Sequence, residues 1–196
     1  PTEKKQRIIE ACIAEFSQNS YVNASTNRIV KKAGISKGII FHYFGSKKNL
    51  FLYIFDYIIN DFMVLLNQMT ANASPDIFER IMEIGLAKLK LIYEYPLKYR
   101  VLINAIHVPA DLQPEIQVRY EKIYQAMLPL LFNNVDTSKF RKDINAEKAI
   151  EFVFIALEGL GNKYLRTFKE MTAAEIFARL ENLTKEYYEF IEILKS

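Results

Sequence analysis

Apolar residues recur at helical spacing along nearly the whole chain, and no stretch makes a convincing strand. Residues 4–18 put Ile8, Ile9, Cys12, Ile13 and Phe16 on one stripe, with Lys4, Lys5 and Glu15 off it. Residues 19–24 are polar and few, a short connection from which Tyr21 and Val22 pack back. Ser25 is placed to cap a second helix over 26–33, with Ile29, Val30 and Ala33 inward and Arg28, Lys31 and Lys32 outward. Gly34 ends it, because glycine takes the left-handed conformation of a sharp C-terminal turn without steric cost. Ser36 then caps a third helix over 37–44, anchored by Ile40 and Phe44, while Lys37, Gly38, Phe41 and His42 point away. Gly45 and Ser46 lead into a fourth helix, from Lys47 to about 70, apolar nearly all round.

The remainder continues in the same manner. Ser74-Pro75-Asp76 reads as an N-cap, a proline at the first helical position and an acid in the first turn of a fifth helix reaching about residue 93. Pro96 opens a sixth, and a seventh runs from Leu112 to Phe132 with Pro129 ending or kinking it near its close. Residues 133–145 read as a loop, 146–166 as an almost wholly apolar helix, and Thr172 with Glu175 as a capping box opening the last. There Ile176, Leu180, Leu183, Tyr187, Phe190 and Leu194 keep spacings of 4, 3, 4, 3 and 4, a heptad seam that needs a helical partner in the same chain or in a second copy. The expected fold is all-α with about nine helices: a helix-turn-helix domain over 1–46 and a larger helical domain over 47–196.

Composition narrows the chemistry. With 51% hydrophobic residues, six Gly and six Pro, the chain buries a core. Its net charge of +3 is unevenly spread: residues 1–50 hold nine Lys/Arg against three Glu, and the rest is mildly acidic. A basic head suits a polyanion, since neutralising phosphates releases counterions. One cysteine, Cys12, excludes an internal disulfide, and two histidines without a His/Cys/carboxylate cluster exclude a metal site. No phosphate-binding loop and no nucleophile with a base partner are present, so neither an enzyme nor a bound cofactor is expected. Residues 4–16 are amphipathic and unlike a signal peptide, and the apolar window 50–66 is broken by Asp56, Asn60 and Asp61, so a cytoplasmic protein with no membrane partner is expected.

Two helices joined by a short glycine turn make a helix-turn-helix, whose second helix enters the DNA major groove. Any helical hairpin has that spacing, but a merely solvated one has no use for Phe41, His42 and Tyr43 in succession. Lys47 and Lys48 at the start of the fourth helix add an anion site. The run Ala33-Gly34-Ile35-Ser36-Lys37-Gly38, then Phe41-His42-Tyr43-Phe44 and Ser46-Lys47 with Leu50, resembles the N-terminal domain of the TetR family of transcriptional regulators, over about residues 5–55. The resemblance implies that Thr26 and Asn27 contact phosphate or a base, that Lys37, Gly38, Ile39 and His42 face base edges, and that Phe41, Tyr43 and Lys47 clamp the backbone. Ile39 stands where threonine is common, which exchanges a hydroxyl contact for an apolar one to a thymine methyl. Phe41 stands where tyrosine is common and brings no phosphate hydrogen bond.

The same resemblance implies a homodimer formed by the last two helices, with Val153, Leu160, Ile176, Leu180, Leu183, Tyr187 and Phe190 at the interface. Phe62, Tyr93, Tyr99, His107, Tyr124, Met127 and Phe154 are candidates to line a pocket for an apolar or aromatic small molecule, or else are core. Glu158, an acid in an apolar stretch, must be paired, at an interface edge or facing a cavity. The expected function is a ligand-responsive, DNA-binding transcriptional regulator, a repressor that leaves a near-palindromic operator when a small molecule binds. Its rivals are a helical adaptor that keeps the head, and a regulator controlled by a protein partner.

Overall fold

The computed structural model describes residues 3–169 and 171–195. The side chains of six residues named above, Phe154, Glu158, Leu180, Leu183, Tyr187 and Leu194, lie outside the described residues. Among those described, the helices are α1 (Glu3–Asn23), α2 (Thr26–Ala33), α3 (Lys37–Phe44), α4 (Lys47–Met69), α5 (Ile77–Glu94), α6 (Pro96–Asn104), α7 (Gln113–Phe132), α8 (Ala146–Lys169) and α9 (Ala173–Lys195). Two 3-10 turns, Ala105–His107 and Thr137–Lys139, complete them, and no strand occurs among the described residues. The all-α expectation holds.

The chain packs as two compact units, residues 1–66 with 89–124 and residues 67–88 with 125–196. This division does not coincide with the boundary expected at 46/47, because the first half of α4 shares a core with α1–α3. In the first unit Ile9, Cys12 and Phe16 of α1, Ile29 of α2, Ile40 of α3 and Leu50, Phe51, Ile54, Phe55 and Ile58 of α4 are buried together. Phe16 and Tyr21 meet Phe51 with ring centroids 5.0 and 5.2 Å apart, and Phe44 meets Tyr53 at 5.1 Å. Burying a phenylalanine contributes about 3 kcal/mol at most, so Phe16, Phe51 and Phe55 dominate this core. The acids that interrupt the apolar run of α4 are matched: Asp56 accepts from Arg119 at 2.7 and 2.9 Å, and Asp61 from Lys98 at 2.5 Å. The apolar face of α4 is therefore a core face.

Two expectations for this unit change and one holds. The first helix does not stop at 18; it breaks at Ser20 (φ 54, ψ −178) and helical structure continues to Asn23. Ser25 caps α2 through Arg28 N, but Ser36 stands at the N-cap of α3 with extended backbone and no side-chain capping bond. Gly34 (φ 65, ψ 41) closes α2 with its own N–H and that of Ile35 turned back to the Lys31 and Val30 carbonyls, the expected left-handed stop.

In the second unit Ile77, Ile81, Val153 and Ile191 form the core, with Phe78, Met82, Leu131, Phe132 and Ile150 packed against it. The cap of α5 is Asp76, not Ser74: its Oδ1 accepts from Phe78 N at 3.0 Å and Glu79 N at 3.3 Å. Pro129 does not end α7, which runs on to Phe132; Pro129 is exposed, and its own carbonyl accepts from Asn133 N. The loop before α8 contains the 3-10 turn 137–139, capped by Asp136. The capping box of α9 is formed as expected, Glu175 N donating to Thr172 Oγ1 at 3.3 Å and Thr172 N to Glu175 Oε2 at 2.6 Å.

Candidate nucleic-acid interface

α3 is anchored on one side and bare on the other. Ile40 is 1% exposed and Phe44 half-buried, while Lys37, Gly38, Phe41, His42 and Tyr43 are exposed, Tyr43 to 74%. Lys37 Nζ lies 5.6 Å from the Phe41 ring centroid, an i,i+4 cation–π contact that holds the ammonium along the helix. The His42 and Tyr43 rings meet edge to face at 5.3 Å. A Cβ placed on Gly38 would come no nearer than 4.0 Å to any atom, the Ser36 Oγ. Nothing inside the protein requires glycine there, although glycine within a helix costs about 0.5–1 kcal/mol relative to alanine.

α2 is fixed to α1 by a group the sequence pattern did not single out. Glu15, 7% exposed, accepts from Ser25 N at 2.8 Å, from Arg28 Nε at 2.9 Å and from Arg28 Nη2 at 2.5 Å. Arg28 Nη2 also donates to the Asn23 carbonyl at 2.8 Å. Burial pushes the Glu15 carboxyl up, but the hydrogen bonds from Arg28 and Ser25 N, with the charges of Arg28 and Lys32, outweigh it and hold the carboxyl below the ordinary glutamate value. This clamp sets the N-terminus of α2, with Asn27 exposed and Thr26 half-buried. Its only signal in the sequence was an acid beside the buried stripe of α1.

The lysines at the start of α4 are not arranged as expected. Lys47 Nζ donates to the Val22 and Ala24 carbonyls at 3.1 and 3.0 Å and lies 4.9 Å from the Tyr21 ring centroid. Lys48 is ion-paired with Glu115. Carbonyls at the end of α1 and a carboxylate on α7 thus take the two ammonium groups that the sequence left for a phosphate.

The pocket candidates separate. Phe62 is half-buried with its ring 6.0 Å from Tyr95, and burial pushes the Tyr99 hydroxyl up to about 12. Tyr124 is half-buried and Met127 is 8% exposed. Tyr93, 58% exposed, and His107, also exposed, do not line an interior pocket; both stand near helix ends and turn outward. Tyr120, between His107 and Tyr124 in the chain, is core, donating to the Leu102 carbonyl at 3.1 Å and packing on Phe55. Of the interface candidates, Val153 is in the second unit's own core, and Leu160 and Ile176 are buried. Among the described residues the open large apolar positions on α8 and α9 are Phe152, Ile155, Phe190 and Ile193. Among the described residues no group of three or more His, Cys, Asp or Glu could hold a metal.

The model for bacterial regulatory proteins of the tetR family matches residues 8–54, from the stripe of α1 through the bare face of α3 into α4. The HTH-type transcriptional repressor AcnR of Corynebacterium glutamicum is 28% identical over 166 residues, 81% of this chain and 80% of that protein. Residues 8–54 thus match the tetR-family head, and over most of its length the chain is similar to TetR-family regulators. A TetR-family transcription regulator from Shewanella sp. PV-4 superposes with a TM-score of 0.64 at 19% identity, covering 96% of this chain and 95% of that one. FadR from Bacillus subtilis, solved with stearoyl-CoA, superposes at 0.62 and 15% identity over 92% and 97% of the two chains. Both share the fold of this chain, an N-terminal helix-turn-helix followed by a helical body.

Proposed function

We propose that this chain is a TetR-family repressor that binds a near-palindromic operator as a homodimer and leaves it when a small molecule binds within 47–196. The observation that carries the DNA half is Gly38: a helical glycine with open space above it, between exposed Lys37 and exposed His42, leaves room for something outside the protein to approach the backbone. A base edge flanked by phosphates fits that gap, with Lys37 as donor and Ile39 against a thymine methyl. Phe41 and Tyr43 border the same face, and Thr26 and Asn27 reach the backbone from the start of α2. Lys47 acts on the DNA through its charge and its hold on the end of α1.

The open apolar row of α8 and α9 supports a second copy as partner, and two copies would hold the α3 helices about 34–36 Å apart, on successive major grooves. A ligand that favours a state with another spacing releases the operator by population shift. The stearoyl-CoA complex of FadR supports a ligand for the helical body, and the repressor AcnR supports repression. The site of action is the cytoplasm, where the operator is.

Selection of bound sequences from random duplex DNA tests the reading. The expected product is a near-palindrome whose half-sites lie about one helical turn apart, with affinity falling steeply between low and moderate salt. No enriched sequence, or binding indifferent to salt, would overturn it.

A further inference from the structure

α1 gives up its helical course at Ser20 (φ 54, ψ −178). A helical carbonyl accepts from the N–H four residues on, so the donor that would serve Ser17 is the N–H of Tyr21, on the far side of the break. Asn104, the last residue of α6, stands there instead. Its Nδ2 donates to the Phe16 carbonyl at 3.0 Å and to the Ser17 carbonyl at 3.1 Å. Phe16 is 0% exposed and Ser17 2%, so water does not serve these carbonyls. Val101, a turn before Asn104, and Ala105, directly after it, are buried in the core that α1–α4 share. The end of α6 is thus seated in the head by packing and latched to α1 by one amide.

The same end of α6 is fastened from its other side. Tyr120 Oη donates to the Leu102 carbonyl at 3.1 Å, and Gln113 Nε2, at the start of α7, donates to the Val108 carbonyl at 2.9 Å and the Ile106 carbonyl at 3.3 Å. α7 in turn holds the start of α4 through the Glu115–Lys48 pair, and Lys47 beside it holds the Val22 and Ala24 carbonyls. These bonds close a ring inside the first unit, from α7 to α6, from α6 to α1, from the end of α1 to α4, and from α4 back to α7. The connection it grips runs straight into Ser25, whose N–H Glu15 holds and whose hydroxyl caps α2. Asn104 is the link from α6 to the helix that carries Glu15, and α6 belongs to the stretch 47–196 assigned above to the ligand. The latch therefore joins that stretch to the head through α1, apart from the continuous path along α4.

We propose that Asn104 is a positioning residue for operator recognition: through the Phe16 and Ser17 carbonyls it holds the broken end of α1, and with it the start of α2, where α3 can meet the major groove. The assignment rests on the DNA-binding reading above and names a residue of α6, away from the bare face of α3, on which that reading depends.

The test compares the full chain as wild type and Asn104→Ala, by fluorescence anisotropy on the selected operator and on a random duplex of the same length. Operator affinity is expected to fall by about ten- to a hundredfold, the range of a coupling between distant sites. Affinity for the random duplex should stay within about twofold, because a neutral residue replaces a neutral one and non-specific binding follows charge. A residue that only stabilised the fold would lower both together. A second measurement needs no variant: if the latched state is the one that binds DNA, operator binding must in return favour the latch. Exchange of the Asn104 side-chain amide protons, followed by NMR in the unmodified chain, should therefore slow in the operator complex and not with the random duplex. Unchanged operator affinity in Asn104→Ala, an equal loss on both duplexes, or unchanged exchange in the operator complex overturns the assignment. Should the wild type select an operator and the variant bind it equally well, the DNA-binding reading stands and the role of Asn104 alone falls; a wild type that selects no sequence sinks both.

Discussion

The head and the last two helices both leave surface open, and they do so with opposite chemistry. On α3 the open residues are a lysine, a glycine, a histidine and two aromatics, and the polar groups beneath them are satisfied: Glu15 by Arg28 and Ser25 N, Lys47 by two carbonyls. On α8 and α9 Lys163 is paired with Glu186, and Thr172 with Glu175 at the start of α9, while Phe152 (63%), Ile155 (56%), Phe190 (39%) and Ile193 (68%) stand in water. A polar row on a settled scaffold suits a hydrated partner that is bound and left. An apolar row of this extent suits a partner that stays.

The largest effect should come from the apolar side. Phe152→Glu with Ile155→Glu is expected to leave the fold intact, since both side chains are exposed, and to give a monomer in sedimentation at micromolar concentration. Operator affinity should then fall by roughly 10² to 10⁴-fold, because two linked half-site contacts become one. A variant that stays dimeric would place the interface elsewhere and undo the contrast.

Gly38→Ala probes the polar side and should move two properties in opposite directions. Removing an exposed helical glycine stabilises the chain by about 0.5–1 kcal/mol, because no atom of the protein lies within ordinary contact of the added methyl. Operator affinity should nevertheless drop by about ten- to a hundredfold, the loss of ~1–3 kcal/mol expected when a base contact is displaced. Unfolding in urea and fluorescence anisotropy on the selected operator measure the pair. Retained affinity would mean that the space above Gly38 is never filled.

These two surfaces differ in how far the sequence revealed them. α2 and α3 begin and end where the caps and glycines put them, because Ser25, Gly34 and Gly45 act within a few residues. The start of α5 was misplaced by two residues because Ser74 and Asp76 are both cap formers; the choice is made from a distance, by Arg80 and Glu83 holding the Ser74 backbone. The partners of Lys47 and Lys48 lie more than twenty residues away and left no mark at those positions. Helical periodicity put Val153 on an apolar stripe but could not say that its stripe faces the chain's own core while Phe152 and Ile155 face out.

The support beneath α3 can be tested by charge. Glu15→Gln keeps the shape but weakens the hydrogen bonds from Ser25 N and Arg28, and with the Arg28 side chain 54% exposed the expected cost is only about 1–2 kcal/mol at pH 7. Because the folded carboxyl titrates below its unfolded value, the wild type holds this advantage above the ordinary glutamate pKa of about 4.3 and loses it as pH falls through the lower folded value. The stability difference between wild type and variant should therefore close in urea titrations below pH 4. A gap that persists there would assign the cost to packing instead of charge.

The smallest effect isolates backbone from side chain. Ser20 occupies φ 54, ψ −178, a region that is almost confined to glycine and costs other residues on the order of 1–3 kcal/mol. The break there turns the end of α1 so that Tyr21 packs on Phe51 and the Val22 and Ala24 carbonyls receive Lys47. Ser20→Gly should raise stability by about 1 kcal/mol, part of the relief being offset by glycine's greater freedom in the unfolded chain, or ~2–4 °C in melting temperature. Ser20→Ala should give no gain, since alanine meets the same backbone barrier. Operator affinity should stay unchanged in both, because α2 and α3 keep their positions. An equal gain from alanine would locate the cost in the hydroxyl and release the backbone from the account.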